Sequence, residues 1–164
     1  MPLYDIEHVI PLTLEQQTSI AQAFTATHAK RFKTPSFFIN VRFTDASTQV
    51  VFRGGVLRKY NRAILRTRTG EGRPSDLYNE HCRDLIRLWA EMVRSEGERE
   101  LRTVWVLGAL TTAVEDGFER PKVGEEIEWL KKNKDEFRRL AEAGDEDMQG
   151  LMEELRTRPE FADV

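Results

Sequence analysis

The sequence predicts an α/β (α+β) fold: two fused βαβ units forming one four-stranded sheet with two helices, followed by a helical C-terminal extension. Two observations carry this. A strand, an amphipathic helix and a second strand follow one another twice along the chain. After Gly124 the pattern becomes helical and strongly charged.

Leu3 to Ile10 alternates apolar and acidic residues and reads as a strand that Pro11 stops. Thr13 with Gln16 is a capping-box pair, and Ile20, Ala21, Phe24, Thr27, His28 and Arg31 recur at helical spacing, so a helix is expected from Thr13 to about Phe32. Thr34-Pro35 breaks it. Phe37 to Thr44 alternates again, with Phe37, Ile39, Val41 and Phe43 on one face and Phe38, Asn40 and Arg42 on the other. Val50 to Arg53, ended by Gly54-Gly55, reads as a short hairpin strand. The order then returns. Ala63 to Arg68 is a strand, Gly70-Glu71-Gly72 a turn, and Pro74-Ser75 a helix start. Leu77, His81, Leu85, Leu88 and Met92 form the expected apolar stripe, flanked by Cys82, Ile86, Trp89 and Val93. Thr103 to Leu110 is the closing strand. The βαβ units thus span about 2–44 and 63–110 within a domain of residues 1–124. Residues 125–164 are expected as three short helices, Glu125 to Lys132, Asp135 to Ala143 and Met148 to Arg156, packed on the outside of that domain.

The 164 residues suit one domain rather than two. Nothing approaches the ~18 consecutive apolar residues of a membrane span, and the N-terminus lacks an apolar signal core, so a cytoplasmic protein without membrane contact is expected. A single cysteine excludes an internal disulfide framework, and the three histidines are not spaced as metal ligands. The net charge of −3 is uneven: residues 125–164 hold 13 acidic and 7 basic side chains, while the preceding body is mildly basic. With a pI of about 5.7 and no basic cluster interleaved with aromatics, nucleic-acid binding is not expected. A small anion is the better partner for the body.

Pro2 follows the initiator methionine. If Met1 is removed, a secondary amine opens the first strand and can act as a general base or acid. Gly70-Glu71-Gly72-Arg73 leads into a helix, and such a turn presents backbone N–H groups and a guanidinium fork to an anion.

Pro2, the two βαβ units, His28, Gly70-Glu71-Gly72-Arg73 with Ser75-Asp76-Leu77, Trp105-Val106 and Val114-Glu115-Asp116-Gly117 together resemble the tautomerase superfamily, over about residues 2–130. The closest branch is the group similar to cis-3-chloroacrylic acid dehalogenase. The resemblance implies the tautomerase fold shared with macrophage migration inhibitory factor, a homotrimer, a small carboxylate substrate, and no cofactor or metal. It assigns Pro2 as the catalytic proline, His28 as a polarising and substrate-binding group, Arg73 as a carboxylate-binding arginine, and Glu115 as an acidic catalytic residue. Asn40 completes the substrate-binding set.

Two positions depart from the family. Its second clamp arginine falls on Gly70, and Arg68, two residues earlier along the strand, is the expected substitute; Arg66 and Arg42 are more remote. Its water-activating tyrosine falls on Leu107, which can neither give nor take a proton, and Tyr4 or Tyr60 would have to supply a phenol from elsewhere. Enol–keto tautomerisation of a 2-hydroxydienoate or arylenolpyruvate needs only one mobile proton on Pro2, so it ranks first. Hydration or dehalogenation of 3-haloacrylate-like acids ranks second and is expected near background. A trimeric binding protein that has lost the chemistry is the reading of another class.

Overall fold

The computed structural model describes residues 2–70, 72–94, 97–108, 114, 115, 117–119, 121 and 123–164, with Glu115 through its backbone alone. Strand β1 (Leu3–His8) leads through helix α1 (Leu14–Phe32) to β2 (Asn40–Asp45). A hairpin of β3 (Phe52–Arg53) and β4 (Val56–Leu57) follows. Gly54 and Gly55 form its two-residue turn, both at positive φ, the backbone that closes tight hairpins. Strand β5 (Asn61–Arg66), helix α2 (Ser75–Val93) and β6 (Leu101–Leu107) make the second unit.

The four long strands form one sheet in the order β2-β1-β5-β6. Pairs β1/β2 and β5/β6 are parallel, each bridged by its helix, and β1 meets β5 antiparallel at the centre. This is the expected pair of βαβ units. Both helices cover one sheet face, where Tyr4, Ile6, Phe24, Ala63, Leu65, Leu85 and Trp89 are buried together. The other face carries Asp5 paired with Arg42 and Arg66, Arg62 paired with Glu7, and the exposed Trp105 and Leu107.

Several boundaries differ from the sequence reading, each for a tertiary reason. The first strand ends at His8, where the Val9 N–H leaves the ladder for the Asn61 side chain at 2.8 Å. Residues Ser36–Phe38 form a 3₁₀ turn in place of the start of the second strand. There the Ser36 N–H donates to Glu154 at 2.9 Å, and Phe37 and Phe38 join the C-terminal helices instead of the sheet. The α2 stripe is Tyr78, His81, Leu85, Trp89 and Val93; Trp89 turns inward because its indole N–H finds the Arg99 carbonyl at 2.7 Å, leaving Ile86 exposed. The capping box at Thr13 forms as read. Leu110, the expected end of the closing strand, lies outside the described residues.

The tail contains two long helices, not three short ones. Helix α3 (Glu126–Glu142) runs unbroken through Asn133, whose side-chain amide donates to the Trp129 carbonyl one turn back at 2.8 Å. Helix α4 (Glu146–Thr157) is capped by the Asp145 side chain. A small hairpin of Val114–Glu115 and Phe118–Glu119 precedes them. Leu130, Phe137, Met148, Leu151 and Phe161 bury a second apolar cluster with Phe38. Arg158 fastens it to α1 by donating to the Ala29 and Thr34 carbonyls at 3.0 and 3.1 Å. Among the described residues, no helix is long and apolar enough to cross a membrane.

Leu130 is fully buried where this second cluster meets α1 and the sheet edge. Leu130→Ala is expected to cost ~2–5 kcal/mol in urea unfolding; a loss below 1 kcal/mol would show that the tail adds little to the fold.

Candidate active site

The N-terminal end of β1, the C-terminal half of α1 and the segment after β5 converge at one end of the sheet. There Pro2, His28, Thr67, Arg68 and Arg73 line a cavity closed by Glu126, Trp129 and Leu130 of α3. Its free volume is about 20 Å³, room for about one water.

Arg68 reaches the cavity although β5 ends at Arg66, short of the expected boundary. The Tyr78 hydroxyl on α2 holds this stretch by donating to the Arg68 carbonyl at 3.1 Å. Arg73 follows the turn at Gly72, whose φ of 81° favours glycine, and its guanidinium lies over the Phe32 ring at 5.4 Å. Gly70 points elsewhere: a Cβ built on it would lie 3.0 Å from the Cβ of Val123. A side chain at position 70 would crowd Val123, while Arg68 stands beside Arg73 at the cavity.

Both arginines converge on Glu126. Its Oε1 lies 3.5 Å from Arg68 Nη2 and 3.3 Å from Arg73 Nη2, and its Oε2 accepts the Gly124 N–H at 2.6 Å. Among the described residues, the buried Arg68 Nε has no partner. Burial lowers the Arg68 pKa from its usual value; Glu126 opposes the shift and Arg73 adds to it. An arginine stays charged regardless. The pair is a carboxylate-binding fork, already holding a carboxylate.

His28 forms part of the cavity wall, its Nδ1 turned away to lie 2.6 Å from the Tyr4 hydroxyl, which also lies 2.6 Å from His81 Nε2. All three side chains are buried. Burial pushes His28 well below the usual histidine range, with His81 and Arg73 adding to the shift. Burial also takes His81 down to about 4, helped by Arg31. Both imidazoles are neutral at pH 7, so His28 is a hydrogen-bonding group rather than a cation.

The remaining assignments fall elsewhere. Asn40 is exposed and does not line the cavity; only its backbone N–H approaches, donating to the Pro2 carbonyl at 3.0 Å. Arg42 and Arg66 are held by Asp5 on the helix-free sheet face. Tyr60 is buried under Arg53 and Arg62, away from the site. Leu107 lies on the exposed sheet face. Met1, Glu71 and Asp116 lie outside the described residues, as does the Glu115 side chain. Glu126, Tyr78 and His81 were not legible as site residues, although the acidic tail behind a mildly basic body was the available signal for Glu126.

A mixed four-stranded sheet of two βαβ units, with both helices on one face, defines a tautomerase-type fold. A protein-family model described as "putative oxalocrotonate tautomerase enzyme" matches residues 1–134, and the chain belongs to this tautomerase family. Among solved structures, a member of the cis-3-chloroacrylic acid dehalogenase family superposes with a TM-score of 0.63 at 18% identity, covering 91% of this chain and 99% of that one. A probable enzyme from Aspergillus fumigatus gives 0.61 at 21%, covering 81% and 94%. A fused 4-OT asymmetric trimer gives 0.54 at 14%, covering 71% and 94%. At these identities the structures speak for the fold. No curated protein matches the sequence.

The buried histidines set an acid limit on stability. Unfolded, each imidazole titrates near 6.5; folded, His81 does so at about 4. Between these values the unfolded chain binds protons that the native state does not. Stability is therefore full above about 6.5 and falls toward pH 4, by about 1.4 kcal/mol per pH unit per histidine. Urea unfolding at pH 7 and pH 5 should show the loss, and a pH-independent midpoint would refute neutral burial.

Proposed function

We propose that this chain is a cofactor-independent enzyme that adds water to small unsaturated carboxylic acids, in the manner of a 3-haloacrylate hydratase or dehalogenase. The observation that carries this reading is the carboxylate of Glu126 seated between Arg68 and Arg73, beside Pro2 and His28. What the fork does for Glu126 it can do for a substrate of the same charge.

In this scheme the substrate carboxylate replaces that of Glu126 on the fork. Both guanidiniums then draw electron density from the conjugated double bond and make C3 electrophilic. Water adds its oxygen to C3 as a carboxylate takes its proton, and the Pro2 ammonium gives a proton to C2. A halogen on C3 then leaves as HX while the halohydrin collapses to an aldehyde. Leu107 cannot activate the water, but Glu126 can once the substrate displaces it, and Glu115 holds the family's acidic position. His28 hydrogen-bonds a substrate oxygen.

Tautomerisation is the second reading. It uses Pro2, His28 and the fork without an activated water, and the matched family model carries that activity in its description. Both readings need removal of Met1, because a retained methionine would turn the Pro2 nitrogen into an amide. They are also compatible with a homotrimer, for which the exposed Trp105, Leu107, Phe52 and Leu57 are the candidate contact surface.

Intact mass should show loss of Met1, and Pro2→Ala or Arg73→Ala should abolish both turnovers; either variant retaining full activity refutes the scheme. Glu126→Gln separates the readings. It should lower kcat for hydration of 3-chloroacrylate by about 10²-fold or more while leaving enol-pyruvate tautomerisation intact. An undiminished kcat for hydration would remove Glu126 as the base. Light scattering should give a trimer of the 19.1 kDa chain, and a stable monomer would refute the assembly.

A further inference from the structure

His28 offers the cavity one ring nitrogen, Nε2, which among the described residues has no partner. What Nε2 offers depends on the other nitrogen, since a neutral imidazole carries one N–H and one lone pair. His28 Nδ1 faces the Tyr4 hydroxyl, and so does His81 Nε2, both at 2.6 Å. A single hydroxyl has only one proton to give. It donates to one imidazole and accepts the N–H of the other.

We propose that Tyr4 and His81 are positioning residues, and that the one hydroxyl proton between them couples the tautomers of the two imidazoles. If Tyr4 donates to His28, His28 carries its proton on Nε2, and His81 must donate its own Nε2–H to the tyrosine oxygen. If Tyr4 donates to His81, His28 carries its proton on Nδ1, and so does His81. The two rings therefore hold the same tautomer, Nε2–H or Nδ1–H, and in changing over they change together. The first state gives the cavity a donor, which a carboxylate on Arg73 calls for; the second gives it an acceptor.

The environment makes this coupling strict. Tyr4 is fully buried among Phe24, His28 and His81, with no water-exposed alternative for its hydroxyl. Phe32 packs on both imidazoles, with ring centroids 4.5 Å from His28 and 5.1 Å from His81, and holds the rings to this geometry. Burial raises the Tyr4 pKa well above its usual value, so the phenol keeps its proton. A histidine that must polarise a substrate oxygen is thus fixed from behind by two residues that never reach the substrate.

The test is the tautomer itself. The chain has three histidines, and His8 is an internal standard: its Nδ1 lies 2.8 Å from the Ile10 carbonyl, so it bears the proton there. Two-bond proton–nitrogen correlation spectra of protein labelled with heavy nitrogen in histidine should show His28 and His81 in the same tautomer, alone and in saturating sodium acrylate. Opposite tautomers in either spectrum would overturn the coupling. Tyr4→Phe keeps the ring and removes the proton. It should abolish the agreement and lower kcat about 10- to 100-fold with KM within about threefold, and an unchanged kcat would overturn the positioning role. If that variant does not fold, the spectra of the unmodified protein still decide. This inference rests on His28 meeting substrate as proposed above. The spectra judge the coupling alone, whereas inactivity toward every unsaturated acid would count only against the proposed function.

Discussion

Two guanidinium groups, each only 12% exposed, converge on one oxygen of Glu126. Left without an anion, they would repel each other while both stay largely withdrawn from water, an arrangement that costs several kcal/mol per ion. The carboxylate offsets part of that penalty, and the Gly124 N–H donates to its second oxygen. Glu126 is the first residue of α3, so the fork meets the tail where that helix begins. The family model ends at residue 134, inside α3. The helix that bears the anion therefore enters the matched region only with its first turns, and α4 lies wholly beyond it.

The apolar cluster of the tail holds this arrangement in place. Leu130 lies one turn after Glu126 and both lines the cavity and joins Phe137, Leu151 and Phe38 in the second cluster. Arg158 ties the far end of the tail to carbonyls at the end of α1, the helix that carries His28. A substrate that takes the fork has to compete with an internal carboxylate whose helix is packed at two places. In the proposed reaction, affinity for a carboxylate would therefore depend partly on how firmly the second cluster holds α3.

The parts legible in the sequence were those fixed by near neighbours. Thr13 and Gln16 cap α1 within one turn, Gly54-Gly55 closes its hairpin by backbone freedom alone, and the alternation of β1 and β5 places Tyr4, Ile6, Ala63 and Leu65 on one face. What misled were residues whose partners lie far along the chain. Phe37 and Phe38 alternate like a strand, yet Glu154 and the C-terminal helices draw them into a turn. Gly70 is crowded by Val123, and nothing local in the sequence announces that contact. At the site, Pro2, His28, Arg68 and Arg73 were marked by type and order, whereas Glu126 was hidden among 13 acidic residues of the tail.

The chemical difference between the two reactions open to this cavity comes down to the same carboxylate. Moving one proton between oxygen and carbon needs a base at Pro2 and a fork for the substrate, and both are satisfied while Glu126 simply stands aside. Adding water needs a second base, and Leu107 cannot be one. While Glu126 sits on the fork, its Oε1 is engaged by both guanidiniums and its Oε2 by the Gly124 N–H. Displaced by a substrate carboxylate, it would have those oxygens free to accept a proton from water. Binding and activation would then be one exchange of anions on Arg68 and Arg73. The acidic extension would supply the catalytic group that the sheet lacks, and would leave it inert while no substrate is bound.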